Sequence, residues 1–189
     1  MNIGLFGGSF NPIHNGHITL AETFLKEASL QEVWLMVSPQ NPFKIHQDLL
    51  DDKKRLKIAQ KALINHSKII ASDYELSLPK PSYTWNTLQH LAISYPENTF
   101  SLLIGGDNWR AFNRWSHAED IISQYQIYIY PRKDDHSARK EILPKNVHLL
   151  QGSPLDISST LIRNNVKQGK SIHHLVPQNI IQDIEEFYR

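Results

Sequence analysis

Two histidines stand three residues apart in GLFGGSFNPIHNGH, residues 4–17, where a short apolar run closes on Gly7 and Gly8. Glycines at a strand end let backbone N–H groups come close to a phosphate. A helix beginning near Asn15 or Gly16 points its positive end at the same place. His14 precedes that helix and His17 lies in its first turn, so two imidazoles can donate to phosphate oxygens and offset charge developing in a transition state. Each part also has an ordinary reading. A Gly-Gly pair often only closes a strand-to-helix turn, and a histidine at a helix start is commonly a cap. No acidic residue stands nearby to complete a metal set with His14 and His17, so no protein metal site is expected. The Gly-Lys-Ser/Thr of the kinase-like phosphate loop is absent.

A second group of phosphate-compatible residues is DISSTLIRNN at 156–165. Ser158, Ser159 and Thr160 stand at a predicted helix start with Arg163 one turn on, a set that can cradle phosphates. Taken alone, it is equally an ordinary serine-capped helix with Leu161 and Ile162 in the core. PSYTWNTL at 81–88 puts Tyr83 and Thr84 at another helix start, and GGDNWRAFNRWSHAEDI at 105–121 puts Asp107 just after a strand with Trp109 and Trp115 nearby. Aromatic rings can stack on a planar ligand, helix-start N–H groups can hold a carboxylate, and Asp107 can accept ribose hydroxyls. An isolated tryptophan is more often core. Lys44, in SPQNPFK, is expected to help neutralise phosphate, although by residue type alone it is a solvated loop lysine.

These residues need a scaffold. Short β-rich runs occur at 2–7, 32–38, 68–76, 99–106, 125–132 and 146–152, several nearly continuous in apolar residues, as strands buried on both faces should be. Amphipathic stretches lie between them. Ile18, Ala21, Leu25 and Ala28 share one helix face, and DDKKRLKIAQKALIN has an acidic start with Leu56, Ile58, Ala59 and Leu63 at helical spacing. YTWNTLQHLAISY, SSTLIRNNVKQG and the stretch from Pro177 to about Tyr188 read as further helices. The alternation predicts an α/β fold, a Rossmann-like doubly wound parallel sheet with helices on both faces. A single domain over 1–189 is expected, its C-terminal helical part at about 156–189.

Composition narrows the partners. The 189 residues include no cysteine, which excludes disulfides, thiolate zinc sites and a catalytic thiol. A cytoplasmic location is expected: MNIGLFGG does not read as a secretory signal, and no apolar run approaches a membrane span. The net charge of +1 gives no global reason for nucleic acid binding. A homo-oligomer stays open.

GGSFNPIHNGH closely resembles the Gly-x-Phe-x-Pro-x-His-x-Gly-His signature of the nucleotidyltransferase superfamily. The resemblance implies that His14 and His17 bind a triphosphate and steady the transferring α-phosphoryl, and that Gly7, Gly8, Ser9 and Phe10 line the nucleotide through backbone contacts. ISSTLIR, Ile157 to Arg163, resembles the superfamily motif Ile-Ser-x-Thr-x-Ile-Arg, which closes the triphosphate site. Class I aminoacyl-tRNA synthetases share the first motif but are far longer.

Over nearly the whole chain the motifs look like the bacterial nicotinate-nucleotide adenylyltransferase family, which joins ATP, carried with Mg²⁺, to nicotinate mononucleotide and releases pyrophosphate. The resemblance implies catalytic roles for His14, His17, Lys44 and Arg163. It implies a ring pocket from Tyr83, Thr84 and Trp109 with Trp115 nearby, acceptor contacts from Lys44 and Arg132, and Gly105 to Asp107 facing ribose and adenine. Three departures stand out. Asn11 replaces the family's usual Asp, YELSLPK lacks an arginine often present, and YPRKDD keeps Arg132 without the usual Pro-Gly. Phosphopantetheine adenylyltransferases share the first motif but have no reason to keep the ring-pocket stretches. Cytidylyltransferases usually begin that motif Gly-Thr-Phe-Asp. Against a non-catalytic nucleotide sensor stand the intact His14, His17 and Arg163.

Overall fold

The computed structural model describes residues 1–39, 49–130, 142–152 and 156–189. Six strands, β1 (Asn2–Gly8), β2 (Glu32–Val37), β3 (Ile69–Ser72), β4 (Thr99–Gly105), β5 (Gln126–Tyr130) and β6 (Val147–Leu149), form one sheet in the order 3-2-1-4-5-6. Every pairing is parallel. Among the described residues the helices are α1 (Asn15–Glu27), α2 (Asp52–Ala62), α3 (Thr84–Ser94), α4 (Gly106–Arg110), α5 (Ala118–Gln124), α6 (Ser159–Lys167) and α7 (Ile181–Phe187).

Strand periodicity divides the core between the two faces of the sheet. On β1, Ile3 and Leu5 join α3 and α5 through Leu88, Leu91 and Ile121. Phe6 joins α1, α2, α6 and α7 on the other face, through Phe24, Ile58, Ile162 and Ile184. Gly4 permits close packing there, because a Cβ would fall 2.4 Å from the Phe24 ring. This is the doubly wound arrangement that the alternation predicts. β1 lies between β2 and β4, so the chain order reverses at that point. The crevice outside the carboxyl ends of β1 and β4 is where such sheets bind ligands. Gly7, Gly8 and Gly105 stand at those ends.

Several element boundaries differ from the sequence reading. The run at 68–76 stays a strand only to Ser72. The Ser72 hydroxyl oxygen then accepts from Tyr74 N at 3.2 Å and the chain turns into a 3₁₀ helix, Tyr74–Ser77. The run at 146–152 pairs only over Val147–Leu149. α4, a 3₁₀ turn at Phe112–Arg114 and α5 occupy the stretch 105–124, where no helix is expected from the motif reading. Pro177 opens a 3₁₀ turn, Gln178–Ile180, and α7 follows it. No helix among the described residues is long and apolar enough to cross a membrane.

Candidate active site

His14 is the N-cap of α1 with an extended backbone. Its Nδ1 accepts from His17 N at 3.3 Å, and His17 Nδ1 accepts from His14 N at 3.3 Å. This is a capping box built from two imidazoles. The rings stack with centroids 3.6 Å apart and planes 23° from parallel. Because each Nδ1 is an acceptor, a neutral ring carries its proton on Nε2, where the N–H is a donor. Capping thus uses Nδ1 of each ring, and any donor role would fall to Nε2. Gly16 makes room for this: a Cβ there would lie 3.0 Å from His14 Nδ1 and 3.1 Å from its Cε1. Phe10 is buried with φ at 44° and meets the His17 ring edge-on at 5.0 Å, so its side chain props the imidazole from beneath.

Burial lowers the His14 pKa from 6.5 to about 4. At neutral pH His14 therefore supplies a hydrogen bond and no net charge. The unfolded chain takes up this proton more readily than the folded one. The His14 contribution to stability is thus fully present above about pH 6.5 and is lost as pH falls toward 4. We expect a loss on the order of 2–3 kcal/mol between pH 7 and 4.5 from this group. Urea unfolding at the two pH values should show it, and His14→Gln should flatten the difference. An equally steep loss in the variant would assign the acid sensitivity to other groups.

Alanine at position 16 favours the helix backbone, yet it must push the His14 ring. Gly16→Ala is expected to keep its melting temperature while turnover falls about tenfold, since small misplacements of reacting groups are costly. Turnover equal to the unsubstituted chain would show that the ring does not depend on Gly16.

The N-terminus of α6 is tied to the same turn. Ser158 caps the helix, its Oγ accepting from Leu161 N at 3.1 Å. Ser159 Oγ donates to Pro12 O at 2.9 Å, and Arg163 Nη1 donates to Asn11 O at 2.7 Å while Nη2 donates to Thr160 Oγ1 at 3.2 Å. Ile157 Cβ lies 3.6 Å from where a Cβ on Gly16 would stand. The positive ends of α1 and α6 thus converge beside the end of β1, an arrangement suited to polyanions. Asn11 itself is buried, and its Oδ1 accepts from Tyr188 Oη at 2.7 Å and Leu50 N at 3.2 Å. An amide oxygen serves both donors without placing a carboxylate in the interior.

A cleft opens at the ends of β1 and β4. Gly7, Gly8, Ser9 and Gly105 form its floor, and Tyr83, Thr84 and Trp115 stand in its walls. Trp109 is not part of this lining. It is half-buried and packs on Phe112 with ring centroids 5.3 Å apart, against the core on that side of the sheet. Asp107 is half-buried in the first turn of α4. Lys44 and Arg132 lie outside the described residues.

A cytidylyltransferase-like family model matches residues 5–165. A relative from Cytophaga hutchinsonii, named a probable nicotinate-nucleotide adenylyltransferase, is 48% identical over 181 residues, which is 95% of this chain and 93% of the relative. One of the same name from Bacteroides fragilis is 45% identical over 186 residues, or 96% of this chain and 92% of that one. The chain belongs to the nicotinate-nucleotide adenylyltransferase family. The solved Plasmodium falciparum nicotinic acid mononucleotide adenylyltransferase, complexed with NaAD, shares the fold. Its TM-score is 0.77 at 22% identity, over 98% of both chains.

Within this member of the family, Glu75 and Tyr130 are cleft residues that escaped the sequence reading. Glu75, in the stretch read as the tail of a strand, is turned into the cleft by the 3₁₀ helix. It is buried and accepts from Ser38 Oγ at 2.5 Å and Thr87 Oγ1 at 3.0 Å, so it fixes two hydroxyl-bearing walls. Tyr130, the last residue of β5, is also in the lining. The signal that could have found Glu75 is an acidic residue between the apolar Tyr74 and Leu76. No group of three or more His, Cys, Asp or Glu side chains among the described residues could hold a metal ion.

Proposed function

We propose that this chain transfers the adenylyl group of ATP to nicotinate mononucleotide, giving nicotinate adenine dinucleotide and pyrophosphate. The observation that supports this reading is the stacked His14 and His17 pair, with the α6 N-terminus tied to the same turn, next in the chain to the glycine end of β1, where Gly7, Gly8 and Ser9 line a cleft that Trp115 also lines. A phosphate oxygen of the acceptor forms the new bond to the α-phosphorus. The bond from that phosphorus to the bridging oxygen breaks in line, and its electron pair leaves with pyrophosphate. The attacking phosphate monoester is already anionic near neutral pH, so neither a protein nucleophile nor a general base is required. Positioning and charge stabilisation supply the rate. His14 and His17 would donate through Nε2 to the α-phosphoryl and its neighbours. The α6 N-terminus and Arg163 would hold the distal phosphates. Mg²⁺ would enter as the counterion of ATP. Trp115, Tyr83 and Thr84 would take the pyridine ring and its carboxylate.

Pyrophosphate release from Mg·ATP, with nicotinate mononucleotide, nicotinamide mononucleotide and phosphopantetheine offered in parallel, tests the reading. Fast release with the nicotinate nucleotide is expected. Release only with phosphopantetheine would overturn the acceptor, and ATP binding with no release would make the chain a nucleotide sensor.

A further inference from the structure

The two walls of the ring-binding half of the cleft come from separate segments. Tyr83 and Thr84 belong to the start of α3, and Trp115 and Ser116 to the segment before α5. Trp115 is held by packing. Its ring lies on Phe112 at 4.9 Å, and its buried Nε1 has no hydrogen-bond partner. A side chain without polar anchorage takes its position from its neighbours. The next residues along each segment, Trp85 and His117, meet across the gap: their rings stack with centroids 5.0 Å apart and planes 20° from parallel. Neither ring is part of the cleft lining.

His117 holds this position against its backbone preference. Its φ of 57° and ψ of 37° lie in the left-handed region, which an L residue with a Cβ occupies at a cost. It makes no side-chain cap to α5, whose N-cap it is. Its Nδ1 is paired instead with Asp120 Oδ2 at 2.9 Å, which fixes the ring plane, although both side chains are half-exposed. Glycine or asparagine would serve that backbone better.

We propose that Trp85 and His117 are positioning residues for the acceptor: their stack fastens the wall carrying Trp115 to the wall carrying Tyr83 and Thr84 and sets the width of the slot that a planar pyridine ring enters. The proposal rests on reading this half of the cleft as the acceptor site. It requires nothing of the triphosphate half, which is built from β1, α1 and α6.

Trp85→Ala and His117→Gly test it by two readouts. The first is amide hydrogen exchange of residues 112–118 in the ligand-free chain, which should accelerate in both variants. The second is steady-state kinetics. The Michaelis constant for nicotinate mononucleotide should rise about threefold to tenfold, the effect of one aromatic pair, while that for ATP stays near its original value. The double variant should be little worse than either single one, since both remove the same contact. Glycine at 117 relieves the backbone as it removes the ring. A merely structural histidine would therefore give a chain of equal or greater stability with unaltered kinetics. Unchanged exchange together with an unchanged acceptor constant overturns the clasp. If the unsubstituted chain turns over only some other acceptor, the acceptor reading falls, and exchange in the ligand-free variants still decides whether the stack holds the two walls together.

Discussion

Replacing His17 by alanine lowers kcat by about 10²–10³ while the chain stays folded. The size follows from the role. His17 Nε2 carries the proton because Nδ1 is committed to His14 N, and a preorganised donor aimed at developing phosphoryl charge is worth about that factor. The ring is half-buried beside Phe10 and His14. Its loss therefore removes one cap hydrogen bond and some packing, on the order of 1 kcal/mol of stability. His17→Glu separates the two functions. Glutamate is a usual capping-box residue at this helix position, so a carboxylate oxygen can accept from His14 N and restore the cap. The ionised carboxylate offers no donor where Nε2 stood. The expected outcome is a melting temperature near that of the unsubstituted chain for Glu, a modest decrease for Ala, and low turnover for both. Pyrophosphate release and thermal unfolding on the same preparations check it. Turnover within a fewfold of the original in either variant would remove His17 from the chemistry.

The capping geometry also shows why some of this site is legible in a sequence and some is not. The spacing of His14 and His17 around Gly16 announces a helix start and a pair of imidazoles, since capping and helical periodicity are local. Which ring nitrogen donates is decided by hydrogen bonds that only the folded turn provides. The parallel, doubly wound sheet was legible, because the apolar runs and the intervening amphipathic stretches predict parallel crossovers; the strand order came from the structure. Trp109 and Trp115 could not be told apart by type. Five residues, with a 3₁₀ turn among them, lie between the two; both rings pack on Phe112, and of the pair Trp115 alone also reaches the cleft wall. The bond from Tyr188 to Asn11 spans almost the entire chain, and no local pattern signals a tyrosine in the final helical segment reaching back to the first turn.

Arg55 is the sharpest case of a residue hidden by its type. It falls among the charged residues of an amphipathic helix, yet its side chain is fully buried. Its guanidinium gathers three backbone carbonyls: Nε donates to Leu50 O at 2.8 Å, Nη1 to Ser9 O, and Nη2 to Ser38 O at 3.1 Å. Nη2 also pairs with Asp52 Oδ1 at 2.6 Å. The planar fork thereby joins the glycine turn after β1, the end of β2 and the start of α2. Arg55→Met keeps much of the volume and leaves those carbonyls without their donor. Breaking a buried, hydrogen-bonded charge pair costs roughly 3–5 kcal/mol, which for a chain of this size lowers the melting temperature by roughly 6–20 °C. Arg55→Lys should recover only part of this, because one ammonium cannot span three acceptors in a plane. Thermal unfolding reads both. The kinetics of the lysine variant, measured well below its transition, add the functional half. Ser9 lies in the turn proposed to hold phosphate, so freeing its carbonyl should raise the Michaelis constant for ATP more than that for the acceptor. A methionine variant that melts within a degree or two of the original would show that the turn holds its shape without the fork.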